Sequence, residues 1–436
     1  MRCQKIPLAP IFILLLLLSI EPWIASAVVT QNPSYLGAAC TADFLLPDRP
    51  FLVVWNEPTG GCESHGINLN LGAWNIVENN NDSFSGDNMV IYYGLGDWPT
   101  YDAKTKVKNN GGVPQAGNLT YHLKEVQQEV LNLKSNFSGI SVIDFESWRP
   151  LYVHNFDSLA VYQQLSLEIV HEKYPNMSQK AAELEAQREF DAGARNFFEG
   201  TLNATYDLRP GGHWGYYGFP RNWGGPGGEA QNDLLAYIWT KSTGLYPRIY
   251  MSDEAAYLPV EKYIQGTVNE TLRVWAKYSE PGTLILPYTL CQENGTNFFS
   301  EENLTLAIGL PANMGAAGVV IWGSSSFLHT PNECLLLQKY ISTILGPYVK
   351  NLTDFFTSCS SKLCSGHGRC IRRDLEAIVQ FHLKASGREH CQLRESPVQL
   401  KENEDWSKRR SSSSPYDDYV CRCLKGWMGE HCEKSL

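Results

Sequence analysis

Short apolar runs recur between residues 51 and 322, each separated from the next by an amphipathic or loop segment. They are Phe51–Asn56, Met89–Tyr93, Ile140–Glu146, His213–Phe219, Pro247–Met251, Thr283–Tyr288 and Gly315–Trp322. Runs this short and this apolar predict strands covered on both faces. Helical spacing fills the gaps. The clearest stretch is Ser178–Leu202, where Ala181, Leu184, Ala186, Phe190, Ala194 and Phe197 are spaced for one buried face. Others are Thr120–Leu133, Ala230–Thr240 and Glu302–Leu310. Strands alternating with helices predict βαβ units and a parallel sheet. A doubly wound open sheet would bind a nucleotide at a switch point, often through a Gly-rich turn that opens a helix. No such turn is present, because Gly211-Gly212 and Gly224 to Gly228 lie in loops without the right flanks. The expected fold is therefore α/β, a distorted TIM-like barrel.

In such a barrel the reactive groups stand where the strands stop. Those positions hold Asn56, Tyr93, Asp144, Glu146, Tyr217, Tyr250, Tyr288 and Trp322. Residues two apart on a strand share a face, so Asp144 and Glu146 point the same way and Phe145 points opposite. Two carboxylates that close cannot both ionise easily, so one pKa must rise. A carboxylic acid protonated near neutral pH is what a glycosidase needs to protonate a leaving oxygen. On its own an Asp-x-Glu pair more often marks a solvated strand end; the Trp148-Arg-Pro150 that follows and the surrounding chain reverse that preference in favour of the site.

Composition narrows the chemistry. The chain has 436 residues, enough for one barrel and a smaller module. Its formal charge of −10 argues against a general nucleic-acid binder. The 12 Trp and 22 Tyr supply flat apolar platforms of the kind sugars stack on. Arg2 and Lys5 precede the apolar run Ile11–Ile20, and Ala25-Ser-Ala27 reads as a cleavage signal, so a secreted protein starting near Val28 is expected. No other stretch is long and apolar enough to span a membrane. Acceptor sequons for N-linked glycans stand at Asn81, Asn118, Asn136, Asn176, Asn203, Asn269, Asn294, Asn303 and Asn351. The 12 cysteines, only Cys3 of them in the leader, suit an oxidising compartment. Cys359, Cys364, Cys370, Cys421, Cys423 and Cys432 fit a small EGF-like module. Zinc, the other reading of clustered cysteines, is disfavoured by the leader and the irregular spacing, and no metal or cofactor is expected.

The chain resembles the animal hyaluronidases, glycoside hydrolase family 56. The resemblance is carried by Met89-Val-Ile-Tyr-Tyr93, Asp144-Phe-Glu-Ser-Trp-Arg-Pro150, Tyr216-Tyr-Gly-Phe-Pro220, Tyr246-Pro-Arg-Ile-Tyr-Met251, Ala316-Ala-Gly-Val-Val-Ile-Trp322 and Cys364-Ser-Gly-His-Gly-Arg-Cys370. It implies cleavage of β-linked N-acetylhexosaminides in hyaluronan, with chondroitin as a further substrate. By position Glu146 matches the general acid, and Asp144 matches the carboxylate that orients the substrate's 2-acetamido group. The acetamido oxygen is then the nucleophile and configuration is retained, with an ionised Asp144 holding Glu146 protonated. Tyr217 and Tyr250 match tyrosines that bind the acetamido group; Tyr93 and Trp322 match ring-packing residues of the same pocket, where plain barrel packing is the competing reading. Arg149 fits either a substrate carboxylate or a buried ion pair, and His213 a structural role.

The resemblance also implies the disulfides Cys62–Cys334, Cys359–Cys370, Cys364–Cys421 and Cys423–Cys432, leaving Cys40, Cys291 and Cys391 unassigned. The first closes a loop long enough to stabilise by about 4–5 kcal/mol in the chain-entropy model. Two departures stand out. Asn294 occupies a place where many members have Asp, and Arg221 to Gly228 lacks the cysteine of a short disulfide loop. The expected organisation is a leader over 1–27, a barrel over 28–350 and an EGF-like module over 351–436 with a long insertion at about 371–420. A monomer is expected. The rival functions are a chondroitin hydrolase using the same residues and a catalytically silent glycan-binding protein.

Overall fold

The structure, a computed structural model, describes residues 49–222, 227–251, 259–293, 295–324, 330–373 and 414–436. The leader, Cys40, Asn294, Cys391 and most of the insertion lie outside the described residues.

Nine short strands form the centre: β1 Leu52–Asn56, β2 Ile76–Val77, β3 Met89–Tyr93, β4 Ile140–Asp144, β5 His213–Tyr216, β6 Gly244–Leu245, β7 Leu284–Ile285, β8 Tyr288–Thr289 and β9 Gly318–Trp322. The principal helices around them are α1 Leu119–Leu131, α2 Ala160–Lys173, α3 Gln179–Leu208, α4 Val260–Tyr278, α5 Pro331–Tyr340 and α6 Gly346–Leu363. Every ladder among β1 to β9 is parallel. Alternation along the strands divides the core. Leu52, Val54, Met89, Ile91, Ile140, Val142, Leu284, Leu286, Tyr288 and Val320 pack together on one face. Their neighbours Val53, Trp55, Ile143, Trp214, Tyr216, Ile285, Val319 and Ile321 pack on the other face with helix residues such as Phe190, Phe197 and Phe198. Both faces are dry, which is why these runs contain so few polar residues.

The expected barrel is not closed by ladders. Strand pairing runs β2–β1–β9–β8 and β3–β4–β5, with β6–β7 separate. Single parallel bridges at Tyr217–Tyr246 and Arg248–Tyr288 join the groups. Among the described residues no ladder links β2 to β3. The Asn79 side chain stands in there: its Nδ2 donates to the Met89 carbonyl at 2.9 Å and its Oδ1 accepts from the Met89 N–H at 3.1 Å. Pro287 interrupts the run expected at 283–288, since it has no N–H to give. Pro247–Met251, expected as a strand, makes only the Arg248 bridge.

The helices follow their apolar spacing with one correction. Leu184 is 62% exposed and Ala181 is exposed, because the buried stripe of α3 is Ala182, Ala186, Phe190, Ala194 and Phe197. Spacing of four keeps that stripe on one face, and position 184 falls on the opposite side. Ala230–Thr240 is broken at Leu235 into Gly228–Leu234 and Ala236–Trp239.

At the other end of the sheet from Asp144 sits the cysteine-rich tail. The hairpin of Gly368–Arg372 with Tyr419–Cys423 is held by Cys359–Cys370 and Cys364–Cys421, and the last turn by Cys423–Cys432. Arg369 donates to the Pro50 carbonyl and Arg422 to the Gly315 carbonyl, just before β1 and β9 begin. Helix α6 runs through residue 350, so the two parts share a continuous helix. Cys62 and Cys334 are bonded, and Cys291 is a buried free thiol. Among the described sequons, Asn81, Asn118, Asn136, Asn176, Asn203, Asn269 and Asn351 are exposed and Asn303 is half-buried. Among the described residues no helix is long and apolar enough to cross a membrane.

Candidate active site

Strand β4 carries the site to the rim. Its last residue, Asp144, lies in register with Tyr93 at the end of β3. Phe145 turns the other way and stacks on Trp98 with ring centroids 4.0 Å apart. Glu146, just past the strand, is exposed, and its charge reaches Asp144. The loop beyond is fixed rather than free. Buried Trp148 donates through Nε1 to the Pro99 carbonyl at 2.7 Å, and Asn155 bonds both the N–H and the carbonyl of Arg149. Arg149 Nη1 in turn donates to the Glu146 carbonyl at 2.8 Å.

Aromatic rings form the adjoining wall. Tyr217, whose N–H bonds the Ile143 carbonyl, lies 6.5 Å from Tyr250 and 5.1 Å from Tyr288 between ring centroids. Tyr250 stacks near Trp322 at 6.3 Å. Trp322 Nε1 donates to the Tyr93 hydroxyl at 3.0 Å, joining the ends of β9 and β3. Tyr93 is 55% exposed, whereas Tyr250, at 9%, is nearly enclosed. The four aromatic positions expected at the site are therefore gathered beside the two carboxylates. His213 is not among them, since it pairs with Ile140 at the opposite end of the strands.

Electrostatics follow from burial. Asp144 is raised to about 7, by burial first and then by the charge of Glu146, with Arg149 opposing. Its Oδ1 is buried without a hydrogen-bond partner. Asp144 therefore holds a proton up to about pH 7. Asp144 is the more enclosed of the two, and desolvation penalises the charged form. Burial also lifts the Tyr217 and Tyr250 hydroxyls, which stay protonated as donors. Arg149 is lowered by burial and drawn upward by Glu146. Among the described residues no cluster of His, Cys, Asp or Glu is arranged to hold a metal.

Two groups escaped the sequence reading. Arg248 lowers Arg149, and Arg149 and Arg248 both lower Arg221, in each case after burial. Arg248 was visible inside the Tyr246–Met251 motif, and Arg221 directly follows Pro220, but neither spacing reveals a shared pocket. Glu57, just past β1, is 1% exposed and accepts from Gln292 Nε2 at 3.0 Å.

The hyaluronidase family model (Glyco_hydro_56) matches residues 40–436. Hyaluronidase conohyal-Cn1 of Conus consors is 35% identical over 94% of this chain and 89% of its own length. Hyaluronidase-1 of Homo sapiens is 35% identical over 90% of this chain and 94% of its own. The crystal structure of bee venom hyaluronidase in complex with a hyaluronic acid tetramer superposes with a TM-score of 0.64 at 31% identity, covering 69% of this chain and 99% of that one. A carboxylate pair at a strand end, walled by tyrosines, thus sits in a chain that belongs to the hyaluronidases of glycoside hydrolase family 56, and the protein is a glycoside hydrolase.

Proposed function

We propose that the protein is a secreted endo-β-N-acetylhexosaminidase that hydrolyses the β-1,4 linkages of hyaluronan with retention, using the substrate's acetamido oxygen as nucleophile. The observation that carries this reading is half-buried Asp144, raised to about 7 by burial and by the charge of neighbouring Glu146. A pair this close leaves little room for an inverting water, and a single acid suffices when the substrate supplies the nucleophile.

Each residue then has one task. Glu146, the exposed member, faces the glycosidic oxygen and donates the proton. Asp144 accepts the acetamido N–H, aims its oxygen at the anomeric carbon and offsets the positive charge that develops there. Before substrate binds, Asp144 holds a proton up to about pH 7. A hydrogen bond to the ionised form lowers a carboxyl's pKa. Substrate binding therefore ionises Asp144 and shifts the shared proton to Glu146, so the acid is armed only when the sugar is in place. Tyr217 and Tyr250, both neutral, donate toward the acetamido oxygen; Tyr93 and Trp322 stack against the ring. The bee venom enzyme's complex with a hyaluronic acid tetramer supports the choice of polymer.

The test is a turbidity or zymogram assay on hyaluronan and on chondroitin, with Glu146→Gln as control. Cleavage of hyaluronan by the wild type and none by the variant, both equally folded, is the expected result. Turnover surviving in Glu146→Gln would show the acid misassigned, and cleavage of chondroitin alone would change the substrate.

A further inference from the structure

The sheet does not hold Glu146. Strand β4 ends at Asp144, and the chain continues to residue 155 as a loop whose last part is the short helical turn Tyr152–His154. An acid must stand within hydrogen-bond reach of the oxygen it protonates, and a misplacement of about 1 Å costs about a hundredfold in rate. Something other than a ladder has to fix this part of the loop.

One buried side chain takes the place of the missing ladder. Asn155 is 0% exposed. Its Oδ1 accepts from the Arg149 N–H at 2.8 Å, and its Nδ2 donates to the Arg149 carbonyl at 3.0 Å and to the Leu151 carbonyl at 3.0 Å. A single amide therefore bonds both backbone groups of Arg149, as a facing residue on a paired strand would. Held in this way, Arg149 turns back three positions, and its Nη1 donates to the Glu146 carbonyl at 2.8 Å. The contacts run from the Asn155 side chain to the Arg149 backbone, and from the Arg149 side chain to the Glu146 backbone. Other bonds fasten the loop on either side. Trp148 Nε1 donates to the Pro99 carbonyl, and the Tyr152 N–H donates to Asp191 Oδ1 on α3 at 2.6 Å. Neither of those reaches the link between Arg149 and Glu146.

We propose that Asn155 is a positioning residue for the proton transfer: through Arg149 it sets where the Glu146 carboxyl stands against the glycosidic oxygen. The inference rests on the role given to Glu146 above and deepens it. Asn155 itself touches no substrate. Its effect belongs to the transition state, in which the proton moves, and so falls on kcat rather than on KM.

The experiment reads kcat and KM on hyaluronan for wild type, Asn155→Asp, Asn155→Ala and Glu146→Gln, per folded molecule by circular dichroism. Asn155→Asp keeps the shape and the acceptor for the Arg149 N–H. Protonated, it also has an O–H for the carbonyls; ionised, it sets only acceptors against them. Burial favours its protonated form. Its kcat therefore stays within about twofold of the wild type near pH 4 and falls about tenfold or more behind by about pH 8, with KM within about twofold throughout. Asn155→Ala lacks both bonds at every pH, so its kcat falls by about tenfold to a hundredfold without that slope. The titratable neighbours are Arg149, Tyr152 and His154 on the same loop, Glu183 and Asp191 on α3, which act on Tyr152, and Arg221, which acts on His154. All are common to wild type and variant, so the ratio of the two isolates residue 155. A role confined to folding lowers Tm but leaves kcat per folded molecule unchanged. A wild type-to-Asn155→Asp ratio that is flat across pH, or a loss carried by KM alone, overturns the proposal. Turnover in Glu146→Gln would overturn the acid assignment and this inference with it; a silent Glu146→Gln confines any failure to Asn155.

Discussion

Two groups of carboxylates lie past strand ends on the same side of the sheet, and burial raises both. At the end of β4, Asp144 reaches about 7. Past the end of β1, Glu57 reaches about 8, by burial first, with Gln292's hydrogen bond opposing and the charge of Asp82 adding. Nearby Glu78 rises to about 7 and Asp82 also rises, each from burial first. By pKa alone the β1 group is the stronger candidate. Its surroundings say otherwise. Glu57 is sealed under Gly323, and Thr59 closes the group, donating to Asp82 Oδ2 at 2.7 Å and accepting from Trp55 Nε1 at 3.0 Å. The β4 pair opens onto exposed Tyr93 and is flanked by Arg149. A raised carboxyl marks chemistry only where substrate can reach it.

The sharpest way to break this contrast is Asp144→Asn. The neutral amide neither ionises nor offsets charge, so kcat falls by about a thousandfold, the range for removing one electrostatic stabiliser; steady-state kinetics on hyaluronan measure it. The same change steadies the fold. Because the folded pKa of Asp144 lies above the unfolded one, the wild type loses stability as pH rises from about 4 to about 7. Asp144→Asn removes that loss, so its Tm exceeds the wild type's at pH 8 and matches it at pH 4 by differential scanning fluorimetry. Tyr217→Phe deletes one neutral donor and lowers kcat by about ten- to a hundredfold, with folding unchanged. In the wild type, kcat/KM declines above about pH 7 as Asp144 loses its proton. The smallest effect belongs to the sealed group. Glu57→Gln keeps kcat within about twofold, since the residue touches no substrate. Its Tm gain over the wild type grows as pH rises from about 5 to about 8. A large loss of activity there would erase the distinction between the two groups.

Much of this site was legible in the chain. The apolar runs Phe51–Asn56, Met89–Tyr93, Ile140–Glu146 and Gly315–Trp322 became β1, β3, β4 and β9, with β4 ending two residues early at Asp144 and β9 starting three residues late at Gly318. Period-two alternation told which side Asp144 faces, because a buried strand leaves the register no freedom. The two-residue strands were not legible. Ile76–Val77 and Gly244–Leu245 are too short to show a period, and Pro287 splits a run that looks continuous. Nor was the burial that raises Asp144. Spacing shows that two carboxylates are neighbours, while only packing shows that Asp144 is the enclosed one. Arg221 and Glu57 were invisible for the same reason: one arginine after a proline, or one glutamate after a strand, carries no sign of what folds beside it.

The account turns on an acid paired with a carboxylate that steers the substrate's own acetamido group. The most direct measurement is proton NMR of the first reducing ends released from hyaluronan oligosaccharides, recorded before mutarotation. The β anomer should appear first, as retention through the acetamido oxygen requires. First appearance of the α anomer would mean that water attacks directly, and the roles given to Asp144 and Glu146 would be wrong.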